Sequence, residues 1–241
     1  MFNPEATRDL LIEWLAEYVK SAGAKGLVFG LSGGIDSAVV AGLSKLAFPD
    51  TSLGVIMPCH SNPTDKEDAL LVANAIGLQT QEVDLTEPFD YLVAKTGVNA
   101  DTMAAHNLKP RLRSSTLGLI GQSLGYLVAG GSNLAEWYTG YFTKYGDSAV
   151  DLLPLARLTK SEVYQLAKVL KIPEKIITKA PSAGLWQGQT DEEEMGIKYA
   201  DLDKYLTDGT GEEEIIARIE ALHKRSAHKR QMPPMGPVVR G

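Results

Sequence analysis

The hexapeptide Ser32-Gly33-Gly34-Ile35-Asp36-Ser37 joins a short apolar run, Gly26–Leu31, to a helical pattern that begins near Ala38. Two adjacent glycines let backbone N–H groups come close to an anion, and the following helix presents its N-terminus to the same anion. Ser32 and Ser37 add hydroxyl donors. Asp36 would repel a phosphate directly, so it makes sense as the holder of a cation, such as Mg2+, that bridges to the phosphates. The loop therefore reads as a pyrophosphate cradle with a metal ligand. It lacks the Gly-Lys-Ser/Thr of a Walker loop and the G-x-G-x-x-G of a dinucleotide fingerprint. A G-x-S-x-G pattern does occur, Gly30-Leu31-Ser32-Gly33-Gly34, and would make Ser32 a hydrolase nucleophile with His223 or His228 downstream. No oxyanion-hole motif accompanies it, and a hydrolase gives no reason for Asp36-Ser37.

The elements that must position this loop alternate in type. Asn3-Pro4 opens a helix with Leu11, Trp14, Leu15, Tyr18 and Val19 at helical spacing. Apolar strands are expected at Gly26–Leu31, Leu53–Met57 and Tyr126–Ala129, with an alternating one at Thr80–Leu85. Helices are expected over Ala38–Phe48, after a Thr64/Glu67 capping box, over Pro88–Thr96 and Leu108–Leu124, and after a second box, Thr159/Glu162. Two more, Asp201–Leu206 and Glu212–Lys224, form a C-terminal helical segment. Strands alternating with helices imply parallel βαβ units, an α/β doubly wound sheet, with the strands apolar on both faces. With no internal repeat and no long linker, residues 1–241 read as a single domain, and ligands belong beyond the carboxyl ends of the strands.

Composition narrows the classes. With 241 residues, 44% of them hydrophobic, the chain can bury a sizeable core. One cysteine excludes a disulfide framework and a Cys-based zinc cage. No run of 18 apolar residues exists and Met1–Arg8 lacks a signal-peptide pattern, so a soluble cytoplasmic protein without membrane contact is expected. The net charge of −6 argues against general nucleic-acid binding. It is uneven: residues 191–222 carry −8 and read as mostly solvated surface, whereas residues 223–241 carry +5.

Ser-Gly-Gly-x-Asp-Ser after a first strand resembles the signature of the ATP pyrophosphatases with the adenine-nucleotide α-hydrolase-like fold, a Rossmann-like architecture. These enzymes adenylate a substrate oxygen and then displace AMP. The segment Glu136-Trp137-Tyr138-Thr139-Gly140-Tyr141-Phe142-Thr143-Lys144-Tyr145-Gly146-Asp147 resembles one typical of NAD synthetases. The likeness continues through Asp151-Leu152-Leu153-Pro154-Leu155, Leu158-Thr159-Lys160, Ala180-Pro181-Ser182-Ala183, His228-Lys229-Arg230 and Asn107-Leu108-Lys109-Pro110-Arg111. It spans residue 5 to about 232 and implies the ammonia-dependent branch, since there is no room for a glutamine amidase domain and Cys59 sits in no amidase motif. The implied reaction amidates deamido-NAD+ with ammonia, forms a carboxyl-adenylate, and releases AMP and pyrophosphate. The alternatives are another ammonia-incorporating pyrophosphatase resembling the GMP synthetases and, in a different class, a nucleotide-binding regulator without turnover.

The resemblance also implies roles. Asp36 and Glu136 would hold Mg2+. ATP would meet Gly30, Ser32, Gly33, Gly34, Ile35, Asp36 and Ser37, with Lys160 on its phosphates, Ser182 in place of a threonine, and adenosine near Met57. Gly131 stands where the family often has a threonine, so an ATP contact there would use backbone or Ser132. Arg111, Lys144 and Asp151, with Asn107, His228 and Lys229, match deamido-NAD+ positions. Asp36, Lys160 and Asp147 would form the catalytic set, with Asp147 either accepting a proton from ammonium or serving as a Gly-Asp turn residue. The family is homodimeric, which makes the first helix and Leu108–Leu124 interface candidates, although core packing accounts for them equally. On this reading, deletion from residue 226 onward raises the deamido-NAD+ requirement more than the ATP requirement.

Overall fold

The computed structural model describes residues 2–182 and 190–238. In chain order the elements are α1 (Pro4–Ser21), β1 (Gly26–Gly30), α2 (Ile35–Ala47), β2 (Ser52–Ile56), α3 (Pro63–Ile76), β3 (Gln79–Glu82) and α4 (Thr86–Thr96). There follow α5 (Met103–His106), α6 (Leu108–Leu124), β4 (Tyr126–Val128), α7 (Leu134–Thr139), α8 (Lys160–Val169) and α9 (Glu174–Ile177). The last are α10 (Asp191–Met195), α11 (Tyr199–Asp208), α12 (Glu213–Arg225) and a 3-10 turn, Ala227–Lys229.

The four strands are parallel in the order β3-β2-β1-β4. The chain moves from β1 outward to β3 and then returns to the other side of β1 as β4. Strand order therefore reverses between β1 and β4, which opens a crevice at their carboxyl ends. Alternation along β1 sends Leu27 and Phe29 to a core shared with α1, α2, α3 and α8, and Val28 to a second core with Phe89, Ala105 and Leu117. Helices thus cover both faces, as expected of a doubly wound sheet. A third cluster, Ala135, Met195, Ile197, Tyr199, Leu202 and Ile219, joins α7 to the C-terminal helices.

Two expectations need correction. β3 reads Gln-Thr-Gln-Glu and is exposed along its length, because it is the sheet's edge and only one neighbour covers it. The α3 cap is Asn62, whose side chain accepts Thr64 N–H at 3.1 Å ahead of Pro63, rather than a Thr64/Glu67 box. The Thr159/Glu162 box is present as expected, and so is the Asn3 cap of α1.

Candidate active site

Phe29–Leu31, Val55–Pro58 and Ala129–Ser132 line a cleft of about 1360 Å³ at the carboxyl ends of β1, β2 and β4. Its floor is the loop before α2. Ser37 Oγ donates to Gly34 O at 2.9 Å and accepts Ser32 N–H at 3.2 Å, while Ser32 Oγ accepts Gly34 N–H at 3.3 Å. The two serines thus brace the loop from within. Gly33 takes φ +79°, and a Cβ there would sit 2.5 Å from Asp65 O, so glycine is required. Gly34 caps α2 without a side-chain bond, which leaves the helix's first N–H groups for an anion.

Asp36 stands at the second position of α2 and is part-exposed to the cleft. Its Oδ2 lies 2.6 Å from Lys160 Nζ, at the start of α8. Lys160 is 2% exposed, and its ammonium lies 4.8 Å over the Tyr199 ring. Burial opposes that charge, but the Asp36 and Glu136 carboxylates outweigh it and hold the lysine pKa above its ordinary value. Glu136 is the third residue of α7. Burial, followed by the Asp36 charge, pushes its carboxyl well above the usual range.

The fully buried Asn133 joins the two carboxylates. Its Nδ2 donates to Asp36 Oδ1 at 3.2 Å and to Glu136 Oε1 at 2.8 Å, while its Oδ1 accepts Glu136 N–H at 3.1 Å. Tyr199 OH donates toward Glu136 Oε1 at 3.3 Å and Asp191 Oδ2 at 3.1 Å. Asp191 is 4% exposed, which corrects the reading of residues 191–222 as surface at this position. Burial pushes its carboxyl up as well, against the pull of Lys160.

The donor chemistry fits Mg2+. Asp36 and Glu136 are two carboxylates brought to one cleft wall and linked through the Asn133 amide. Mg2+ is commonly held by one or two carboxylates, with substrate phosphates and water completing the shell.

Of the expected ATP positions, Gly30, Ser32, Gly34, Ile35, Asp36 and Ser37 line the cleft. So do Met57, Gly131 and Ser182. Gly33 and Lys160 lie beneath its surface. Ala183, quoted in the Ala-Pro-Ser-Ala motif, is outside the described residues. Of the expected deamido-NAD+ positions, Asn107, His228 and Lys229 line the cleft. Asn107 Oδ1 accepts the Thr143 hydroxyl at 2.8 Å. Asp147, on the cleft wall too, accepts Thr143 N–H at 2.8 Å; the surrounding protein raises its carboxyl pKa, and that hydrogen bond opposes the rise.

Three positions stand apart from the cleft lining. Arg111 is exposed, with Nε 3.4 Å from Lys144 O. Lys144 Nζ donates to His228 O at 2.6 Å. Asp151 accepts Val128 N–H at 2.7 Å and borders a separate depression with Gly118 and Tyr126.

Sequence reasoning missed Asn133, Tyr199, Asp191 and Arg113. Asn133 had a signal, the Asn-x-x-Glu spacing of a capping box. Arg113 lines the cleft and donates from Nε to Met57 O at 3.2 Å; its spacing from Arg111 was the only hint. Tyr199 and Asp191 reach the site only through the packing of α10 and α11.

A profile of the family described as NAD synthase matches residues 8–233. The NH(3)-dependent NAD(+) synthetase of Carboxydothermus hydrogenoformans is 51% identical over 235 residues, covering 96% of this chain and 97% of that one. Among solved structures, an NMN synthetase from Francisella tularensis superposes with a TM-score of 0.94 at 38% identity, covering 99% of this chain and 100% of its own. An NH3-dependent NAD synthetase from Campylobacter jejuni superposes with a TM-score of 0.82 at 30% identity, covering 98% and 100%.

Proposed function

Because the chain belongs to the NAD synthase family, we propose that it is an ATP-dependent ligase that forms the amide of NAD+ from deamido-NAD+ and ammonia. The single observation that carries this for the chain's own atoms is the Asp36–Asn133–Glu136 link, set beside Lys160 and the glycine loop. It brings two carboxylates, a buried ammonium and a free helix N-terminus to one cleft.

The chemistry needs that set. A nicotinate carboxylate resists ammonia because it is anionic and has no good leaving group. Its oxygen attacks the α-phosphorus of ATP, the bond to the bridging oxygen breaks, and pyrophosphate departs into the glycine loop. The α2 N–H groups and Lys160 stabilise the charge that develops on it. Ammonia then attacks the carbonyl carbon of the adenylate, AMP leaves, and the nitrogen gives up a proton. Asp147, on the cleft wall and held by the Thr143 N–H, is the acceptor we assign to a proton of ammonium. Mg2+ would be held by Asp36 and Glu136, and when bound it supplies charge neutralisation to the phosphates. Met57 and Ser182 would face the rest of ATP.

Asn107, Arg111, Lys144, Asp151, His228 and Lys229 would serve the acid substrate. Arg111, Lys144 and Asp151 lie outside the cleft of one protomer, which supports a dinucleotide site completed by a second copy. Leu10 and Tyr18 on α1 and Leu119 on α6, at 64%, 40% and 72% exposed, support such a homodimer. We assign the chain to one functional domain and to the cytoplasm, where its ATP would be drawn.

A second reading has a specific observation behind it. The NMN synthetase is the more similar of the two solved structures in both TM-score and identity. It favours a mononucleotide acid in the same site. Rates with deamido-NAD+ and with nicotinate mononucleotide, each with ATP and ammonium, separate the readings. A kcat/KM at least tenfold higher for deamido-NAD+ supports the first, and the reverse ratio supports the second.

A further inference from the structure

Helix α7 carries Glu136 yet is only six residues long, too short to be stable by itself. Its start is closed by the Asn133–Glu136 capping box. Its end is closed only by a left-handed cap at Gly140. The chain turns at Gly140, φ +72°, and the N–H groups of Gly140 and Tyr141 both return to Glu136 O. The carbonyls of Trp137, Tyr138, Gly140 and Phe142 therefore need donors from elsewhere.

Those donors come from the C-terminal end of the described chain. Arg230 Nη1 donates to Tyr138 O at 3.0 Å and to Trp137 O at 3.3 Å. Lys229 Nζ donates to Gly140 O and Phe142 O, each at 2.7 Å. His223 Nδ1 lies 2.8 Å from Tyr138 O. Arg230 is itself anchored to the end of α12, through Ser226 Oγ at 2.7 Å and His223 O at 2.6 Å. The contact is close: a Cβ on Gly140 would fall 2.1 Å from Ser226 Cβ. Cations at a helix C-terminus also favour the dipole.

We propose that Arg230 is a positioning residue for Glu136: it substitutes for the missing last turn of α7 and so fixes the carboxylate at the helix's other end. This rests on the reading of Glu136 as a holder of the metal that accompanies ATP. Lys229, with its ammonium on two carbonyls, shares the task. The C-terminal basic segment thus acts on the ATP side of the cleft as well as on the acid substrate.

Arg230→Gln in the full chain tests this, with Arg230→Lys as the second variant should the first fold poorly. Two readouts are taken. One is amide hydrogen exchange of residues 134–142 in the free protein. The other is the Mg2+ concentration for half-maximal rate at saturating substrates, with the KM for deamido-NAD+ alongside. Exchange in that segment should quicken and the Mg2+ requirement should rise about tenfold in Arg230→Gln, as for loss of a group that orients a metal ligand. The KM for deamido-NAD+ should stay within about twofold, and lysine should restore part of the loss.

A raised KM for deamido-NAD+ with unchanged exchange and Mg2+ requirement would overturn the proposal in favour of direct substrate contact. Faster exchange with no change in Mg2+ requirement would overturn it as well, leaving a purely structural cap. If the parent protein makes no NAD+, the functional reading fails by itself. Hydrogen exchange and Mn2+ binding to free protein, followed by electron paramagnetic resonance, then still decide whether Arg230 positions Glu136.

Discussion

Lys160 Nζ and Asp36 Oδ2 meet at 2.6 Å, although 124 residues separate them and the lysine side chain is 2% exposed. A buried ammonium between the sheet and α8 is stable because Asp36 and Glu136 surround it. On the proposed reading the same charge would stabilise departing pyrophosphate. Lys160→Met should therefore lower kcat by about 100-fold or more, the scale for losing one electrostatic contact to developing charge. The KM for ammonium should change little. A kcat within threefold of the parent would remove Lys160 from the phosphate-stabilising set.

Glu136 gives a pH test with a defined sign. Its carboxyl is raised in the folded protein by burial and by Asp36. The folded state then binds the proton more tightly than the unfolded chain does. The stability this gives is complete below the ordinary glutamate range and is lost as pH rises through the raised value. Glu136→Gln cannot ionise, so its Tm relative to the parent should climb as pH rises above the ordinary glutamate range in metal-free buffer. Its activity should be nearly abolished. A Tm difference that is flat or falls with pH would contradict the raised carboxyl.

Asn133 does two things that substitution can separate. Serine caps a helix about as well as asparagine does, but it cannot donate to both carboxylates. Asn133→Ser should keep most of the thermal stability while lowering activity about 10- to 100-fold, with a raised Mg2+ requirement. Loss of stability and activity in proportion would reduce Asn133 to a cap.

Much of this arrangement was legible from local sequence. The glycine loop, the Thr159/Glu162 box ahead of Lys160 and the three apolar strands each depend on spacing within one element. Asp36 and Glu136 could be placed together because both follow strands that a doubly wound topology sets side by side. Tyr199 and Asp191 could not, since they enter through α10 and α11 across the third core cluster and nothing local marks them. The terminal cations were read as ligands to an anion. The structure engages Lys229 and Arg230 with carbonyls of the α7 region, which stand 87 to 93 residues earlier in sequence, beyond the reach of any periodicity.

Gly131 stands where the resemblance leads one to expect a threonine, and the structure has room for a side chain there. A Cβ built there would lie 3.8 Å from Asp36 Cβ, an ordinary contact, and the backbone does not take positive φ. Gly131→Thr should leave Tm within about 2 °C, as expected of an unstrained substitution. Its KM for ATP should be equal or lower. A marked loss of stability would mean that the space beside Asp36 is needed empty.

The central claim is that this cleft adenylates an acid and passes it to ammonia. The most direct measurement is product stoichiometry with deamido-NAD+, ATP, Mg2+ and ammonium. The expected result is NAD+, AMP and pyrophosphate in equal amounts, with no ADP and no AMP when deamido-NAD+ is left out. ADP and phosphate as the stoichiometric products, or AMP release without the acid, would contradict the account.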